Sequence, residues 1–224
     1  MPAESFALDH IVLAAQSLEA GARYIEHKLG VIPQSGGQHP GFGTHNLLLA
    51  IGGTAYLEII APDPNQPAPR QPRAFGIDAD GQRERIAVRP RLVHYVMRCS
   101  SITQSIKALD YPLNTPIPMT RGKLAWELAL SDFVGLTGGV QPLPSLIDWG
   151  KHESPGMSLP ASGAVLQTLH VSAQPGDAKS LGKLTNDGRS ADNQTGDSRL
   201  KLSAHRSPML VAEFQSPNGW ALLD

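Results

Sequence analysis

Two ionisable side chains interrupt apolar, strand-like runs in the first quarter of the chain. They are His10 in Leu8-Asp9-His10-Ile11-Val12-Leu13 and Glu58 in Tyr56-Leu57-Glu58-Ile59-Ile60. A charge buried in such a run is costly unless it is paired, hydrogen-bonded or bound to a metal. An imidazole and a carboxylate on a shared face can hold a divalent ion or move a proton. Strand periodicity puts Leu8, His10 and Val12 on one face, and Tyr56, Glu58 and Ile60 on one face. The pattern then recurs in Leu92-Val93-His94-Tyr95-Val96-Met97 and Ser145-Leu146-Ile147-Asp148-Trp149. If the repeat is real, two histidines and two carboxylates converge in one cavity.

Each candidate has a plainer role. His10 fits a metal ligand, a metal-free pocket group or a core histidine bonded to backbone. Glu58 needs a partner in so apolar a run. His94 carries a weaker claim, and Asp148 is equally suited to capping a helix or loop. The stretch Gly36-Gly37-Gln38-His39-Pro40-Gly41-Phe42-Gly43 lacks the spacing of a phosphate-cradling loop. It reads either as a mobile loop or as a loop that places His39 over a pocket. His39, His45 and Asn46 bracket its exit, as substrate contacts or as surface and hairpin residues. Trp126 and Trp149 suit the core or an apolar ligand wall. No nucleophile elbow, zincin helix or cysteine–histidine signature is present.

The elements that must position these residues follow in order. Leu8 to Ala15 is a strand, and Ser17 is an N-cap for a helix carrying Leu18, Ala22, Ile25 and Leu29. Gly30 ends that helix. Thr44–Ile51 and Thr54–Ala61 are strands joined at Gly52-Gly53, and residues 31–36 supply a short edge strand. Prolines at 62, 64, 67, 69 and 72 mark a linker, with a short helix near Ala74–Gly81. Leu92–Cys99 is a strand, followed by a short helix with Ile102, Ile106 and Leu109. Lys123–Leu130 and Leu143–Trp149 are strands, with a turn at Gly138-Gly139. Val165–Ala173, a helix over Asp177–Leu184, and strands at Arg199–His205, Met209–Gln215 and Trp220–Leu223 form a third, degenerate copy. The expected organisation is a first βαβββ module over 1–62, a linker and loop over 63–90, a second module over 91–150 and a third over 164–224.

Bulk properties narrow the classes. A formal net charge of −1 with no basic block argues against a general nucleic-acid binder. Cys99 is the only cysteine, so no intramolecular disulfide forms, which fits a reducing compartment. The first residues lack the features of a secretory leader, and no apolar run approaches the roughly 18 residues of a membrane span. These features lead us to expect a soluble cytoplasmic protein.

With these residues in place, the chain resembles the vicinal oxygen chelate superfamily, and within it the glyoxalase-like domain branch. The resemblance rests on Leu8-Asp9-His10-Ile11-Val12, on His39 through His45-Asn46, on Tyr56-Leu57-Glu58-Ile59-Ile60 and on Leu146-Ile147-Asp148-Trp149. It implies an α+β fold, in which repeated βαβββ modules curl a mixed sheet into a cup with flanking helices. It places metal ligands on the first and last strands of each module, at His10, Glu58 and His94, with Asp148 at the fourth position. It implies a divalent metal (Zn, Fe, Mn, Co or Ni), a small-molecule substrate and a homodimer.

Two functional classes follow. One is a metal-dependent lyase, isomerase or dioxygenase-type enzyme acting on a small oxygenated metabolite, with Glu58 or Asp148 as general base. The other is a metal-free protein that uses the same cup to sequester a small molecule.

Overall fold

A computed structural model describes residues 6–109, 111–131, 140, 142–184, 197–205 and 209–224. Its main feature is an eight-stranded mixed sheet, curled into a half-barrel. The first unit contributes β1 (Ala7–Ala14), β2 (Gln34–His39), β3 (Thr44–Ala50) and β4 (Tyr56–Pro62). The second contributes β5 (Arg91–Arg98), β6 (Ile117–Arg121), β7 (Leu124–Ala129) and β8 (Ser145–Asp148). Strand order is β2-β3-β4-β1-β5-β8-β7-β6. The two units therefore meet through their first strands, and β2 and β6 are the free edges.

Helix α1 (Leu18–Leu29) starts and stops as its sequence predicts. Ser17 Oγ accepts from the Ala20 N–H at 3.2 Å, and Gly30 adopts φ 70° and donates its N–H to Glu26 O. At Gly21 an added Cβ would collide with Ile59, so glycine here lets α1 lie directly on the strand that carries Glu58. Helices α2 (Asp80–Val88) and α3 (Ile102–Leu109) complete the two units. Helix α4 (Pro175–Leu181) and strands β9 (Val165–Ala173), β10 (Leu200–Ala204), β11 (Met209–Ser216) and β12 (Gly219–Leu223) build a second sheet. Its order is β10-β9-β11-β12, a different arrangement from either unit of the large sheet.

Two apolar clusters sit on opposite faces of the large sheet. Leu8, Ile11, Leu13, Leu57 and Ile59 pack with α1 and with β9 and β11 of the small sheet. Val12, Ile60, Val96, Ile147 and Trp149 form the other cluster, inside the cup, with Phe75 and Ile77 from the linker. Among the described residues no helix is long and apolar enough to cross a membrane.

Four expectations change. Leu8 does not share a face with His10 and Val12. The β1–β5 register shifts between Leu8 and His10, so Asp9 is an inserted bulge residue and the alternation restarts after it. The glycine stretch is strand β2 rather than a loop, with the turn confined to residues 40–43. Its glycines form a second irregularity, between Ser35 and Gln38 in the pairing with β3. In place of a helix over Ala74–Gly81 there is one 3-10 turn (Ala74–Gly76) and then α2. Strand β6, for which the sequence carries no strand signal, contains Pro118, which an edge strand tolerates. The turn expected at Gly138-Gly139 lies outside the described residues.

Candidate functional site

The cup encloses a cavity of about 70 Å³. At roughly 10–15 Å³ per water, that is room for a handful of waters or a compact metabolite. His10, Glu58, Asn46 and His39 form its polar wall. Phe42, Phe75, Met119, Trp126, Leu128 and Trp149 supply most of the apolar wall. Phe75 is the one described non-glycine residue with positive φ (63°), a strained conformation that carries its ring into the cavity.

Glu58 reaches the cavity because β4 alternates cleanly. Tyr56, Glu58 and Ile60 line it, while Leu57 and Ile59 face the opposite cluster. Its carboxylate is buried, 6% exposed, with the His10 and His39 rings within 4 Å of it and an amide dipole bonded to it. Asn46 Nδ2 donates to Glu58 Oε1 at 2.6 Å. The irregular stretch of β2 fixes the orientation of that amide, because the Gly37 N–H donates to Asn46 Oδ1 at 2.8 Å. At Gly36 a Cβ would occupy the place of Asn46 Oδ1, so the glycine pair serves the site directly.

His10 is held from behind. Its Nδ1 donates to Asp9 Oδ1 at 2.8 Å, an acceptor-only group, so Nε2 is the nitrogen turned toward Glu58 Oε2, 3.5 Å away. Its ring stacks on Tyr56 at 4.7 Å. Asp9 is fully buried and its second oxygen accepts from Trp149 Nε1 at 2.9 Å, tying the bulge of β1 to the end of β8. Burial, reinforced by the Asp9 and Glu58 charges, pushes the Tyr56 hydroxyl well above its ordinary pKa. His39 bonds Thr44 Oγ1 through Nδ1 at 2.9 Å, and its Nε2 lies 3.3 Å from Asn46 Nδ2 and 3.7 Å from Glu58 Oε1. Burial lowers its pKa, with the Glu58 charge opposing, so a neutral ring accepting from Asn46 fits this geometry.

The structure thus brings together His10, His39, Asn46, Glu58, Trp126 and Trp149, the tryptophans 5.1 Å apart. It leaves out three other candidates. His45 lies beside Asp63, 3.9 Å away, and does not line the cavity. Asp148 accepts from the N–H groups of Ile102 and Gly150, so it caps α3 and a turn, away from the cavity. His94 is fully enclosed and bonded to Ser145, with Oγ 2.8 Å and the backbone nitrogen 3.1 Å from its Nε2. Burial, helped by the nearby His10, lowers its pKa to about 3.

The pairing register explains why Asp148 fails. His10 pairs with Val96 and Val12 with His94, so the two histidines are related by a local two-fold. Across β1–β4, Val12 pairs with Glu58; across β5–β8, Val96 pairs with Ser145. Ser145, three residues before Asp148, is therefore the counterpart of Glu58. The sequence echo had aligned the acids rather than the strands.

Those four register positions are where the superfamily would hold a divalent metal. The first pair offers two donors, His10 Nε2 and Glu58 Oε2, with His10 braced by a carboxylate as metal-bound histidines are. The second pair offers a serine hydroxyl and an imidazole whose Nε2 is already engaged. Among the described residues no group of three His, Cys, Asp or Glu side chains is arranged to hold a metal ion. The residues present do not fit a metal held by three protein ligands.

Asp9, Tyr56, Phe75, Arg121 and Ser145 were missed in the sequence. Only Asp9, adjacent to His10 inside an apolar run, carried a signal there.

The curled sheet of paired βαβββ units is the fold of the vicinal oxygen chelate superfamily. The model of the family described as Glyoxalase-like domain matches residues 8–183, and the chain belongs to that family. The fold is similar to a hypothetical protein from Staphylococcus aureus, at TM-score 0.61 and 14% identity, covering 91% of this chain and 87% of that one. It is also similar, at TM-score 0.42 and 18% identity, to methylmalonyl-CoA epimerase from Mycobacterium tuberculosis, covering 63% of this chain and 86% of that one. A hypothetical protein from Bacillus halodurans matches at TM-score 0.44 and 19% identity, over 66% of this chain and 96% of that one. No curated protein matches the chain.

Proposed function

We propose that the chain is a proton-transfer enzyme, of isomerase, epimerase or lyase type, acting on a small oxygenated metabolite with Glu58 as the general base. The observation that carries this reading is a buried carboxylate lining the cavity, oriented by Asn46 on one oxygen and open to the cavity on the other. In the proposed step a carbon–hydrogen bond next to a carbonyl breaks. The proton goes to Glu58 Oε2 and the electron pair moves into the carbonyl as an enolate. Protonation at the same carbon, or at its neighbour, completes the isomerisation. His10 Nε2, 3.5 Å from Oε2, is placed to relay that proton. Asp9 keeps the relay nitrogen facing inward, and the aromatic wall excludes competing water.

The test is deuterium wash-in from heavy water, followed by NMR, across a panel of small 2-oxo and 2-hydroxy acids and their esters. The wild-type chain should exchange the hydrogen next to the carbonyl of at least one compound. Glu58→Gln should slow that exchange by about 10²–10⁴. Binding of a panel compound without exchange would instead favour the sequestering protein, a reading supported by the neutral His94–Ser145 pair in the second half of the cup.

A further inference from the structure

Arg121 is the last residue of edge strand β6, and its half-buried side chain lines the cavity. The stem crosses the mouth of the cup to the opposite edge strand, where a Cβ added at Gly37 would lie 2.9 Å from Arg121 Cδ. The guanidinium carbon sits 6.0 Å from the Trp126 ring. It has no carboxylate partner and no hydrogen bond among the described residues, unlike Arg73, Arg89 and Arg199, each of which pairs with an aspartate.

An unpaired guanidinium facing an apolar cavity is poised for a planar or tetrahedral oxyanion, because its fork of N–H groups matches two acceptor oxygens. Glu58 stands on the far unit and supplies the only carboxylate among the described residues that line the cavity. The cavity thus has a cationic end on one unit and a basic end on the other.

We infer that Arg121 is the anion anchor of this site and that its ligand is a small metabolite bearing a carboxylate or a phosphate. This rests on the cavity being the ligand site and deepens the proposal for Glu58. The anion docks on Arg121 against Trp126, which points the adjoining carbon toward Glu58. A Cβ at Gly37 would press on the Arg121 stem and shift the guanidinium from its present course.

The test is a binding titration, read by the change in tryptophan emission that a ligand beside Trp126 and Trp149 produces over the constant background of exposed Trp220, with lactate, its neutral analogue lactamide and inorganic phosphate. The result expected is saturable binding of an anion and none of lactamide. Arg121→Gln should weaken anion binding by about tenfold or more, with Arg121→Lys intermediate. Gly37→Ala, which keeps the charge but displaces it, should weaken binding as well. Preference for lactate assigns a carboxylate ligand, and preference for phosphate assigns a phosphate monoester. Equal binding of lactamide and lactate overturns the inference. So does unchanged anion binding in Arg121→Gln, or no binding of either anion. Binding in Glu58→Gln keeps the two proposals separate: anion binding that needs Arg121, without deuterium exchange in wild type, leaves the anchor standing and removes the base.

Discussion

His10 and His94 stand at equivalent points of the two central strands, each one residue beyond a bulge, at Asp9 and at Val93. Their surroundings then diverge. The residue before His10 is a buried carboxylate, whereas the residue before His94 is a valine packed in the cup. Two residues further along each strand, at Val12 and Val96, the parallel partner is Glu58 in the first unit and Ser145 in the second. One half became a charged, braced and open centre, while its twin became a neutral and closed one. Two units of like topology offer two equivalent positions for a site, but only one set of polar side chains needs to face a ligand. The other can serve as core, and a buried imidazole whose pKa is lowered to about 3 is compatible with that role.

Several changes would break or sharpen the contrast. Restoring symmetry with Ser145→Glu buries a second carboxylate with no cation beside it. It should cost about 3–5 kcal/mol in denaturant unfolding. By the strand register, the same variant gains a donor opposite His10 and Glu58. Added Zn²⁺ or Ni²⁺ should then raise its melting temperature while leaving wild type unmoved.

Next in size is pH. His94 has a folded pKa of about 3 against 6.5 for the free side chain. Below pH 6.5 the unfolded chain binds a proton that the folded chain refuses, so stability falls as pH drops toward 3. His94 should account for about 2–3 kcal/mol of the loss between pH 7 and 4.5. His39, also depressed by burial, acts in the same direction. Urea unfolding at the two pH values should show a shallower loss in His94→Gln.

Asp9→Asn removes the fixed acceptor that sets the His10 tautomer. An expected loss of about tenfold in exchange, with the fold intact by circular dichroism, would mark Asp9 as a positioning residue for the first half only.

Much of the fold could be read from the chain, and for physical reasons. Ser17 and Gly30 announce α1 because capping is local chemistry. Tyr56, Glu58 and Ile60 share a face because β4 has no irregularity, so period two holds. What failed to show was non-local. The bulge at Asp9 shifts Leu8 to the other face, and no residue type in that run signals it. The match of Ser145 to Glu58 is a property of inter-strand register, which the spacing of acids along the chain does not reveal. Arg121 looked like any surface arginine, because its importance comes from β6 and β2 being opposite edges that meet over the cavity.

The most direct test of the asymmetry is a side-by-side measurement of deuterium exchange in Glu58→Gln and Ser145→Ala, using the best exchanging compound of the panel. The account predicts that exchange collapses in Glu58→Gln and stays within about threefold of wild type in Ser145→Ala, a change of well under 1 kcal/mol. Comparable collapse in both variants, or retention in Glu58→Gln, would contradict it.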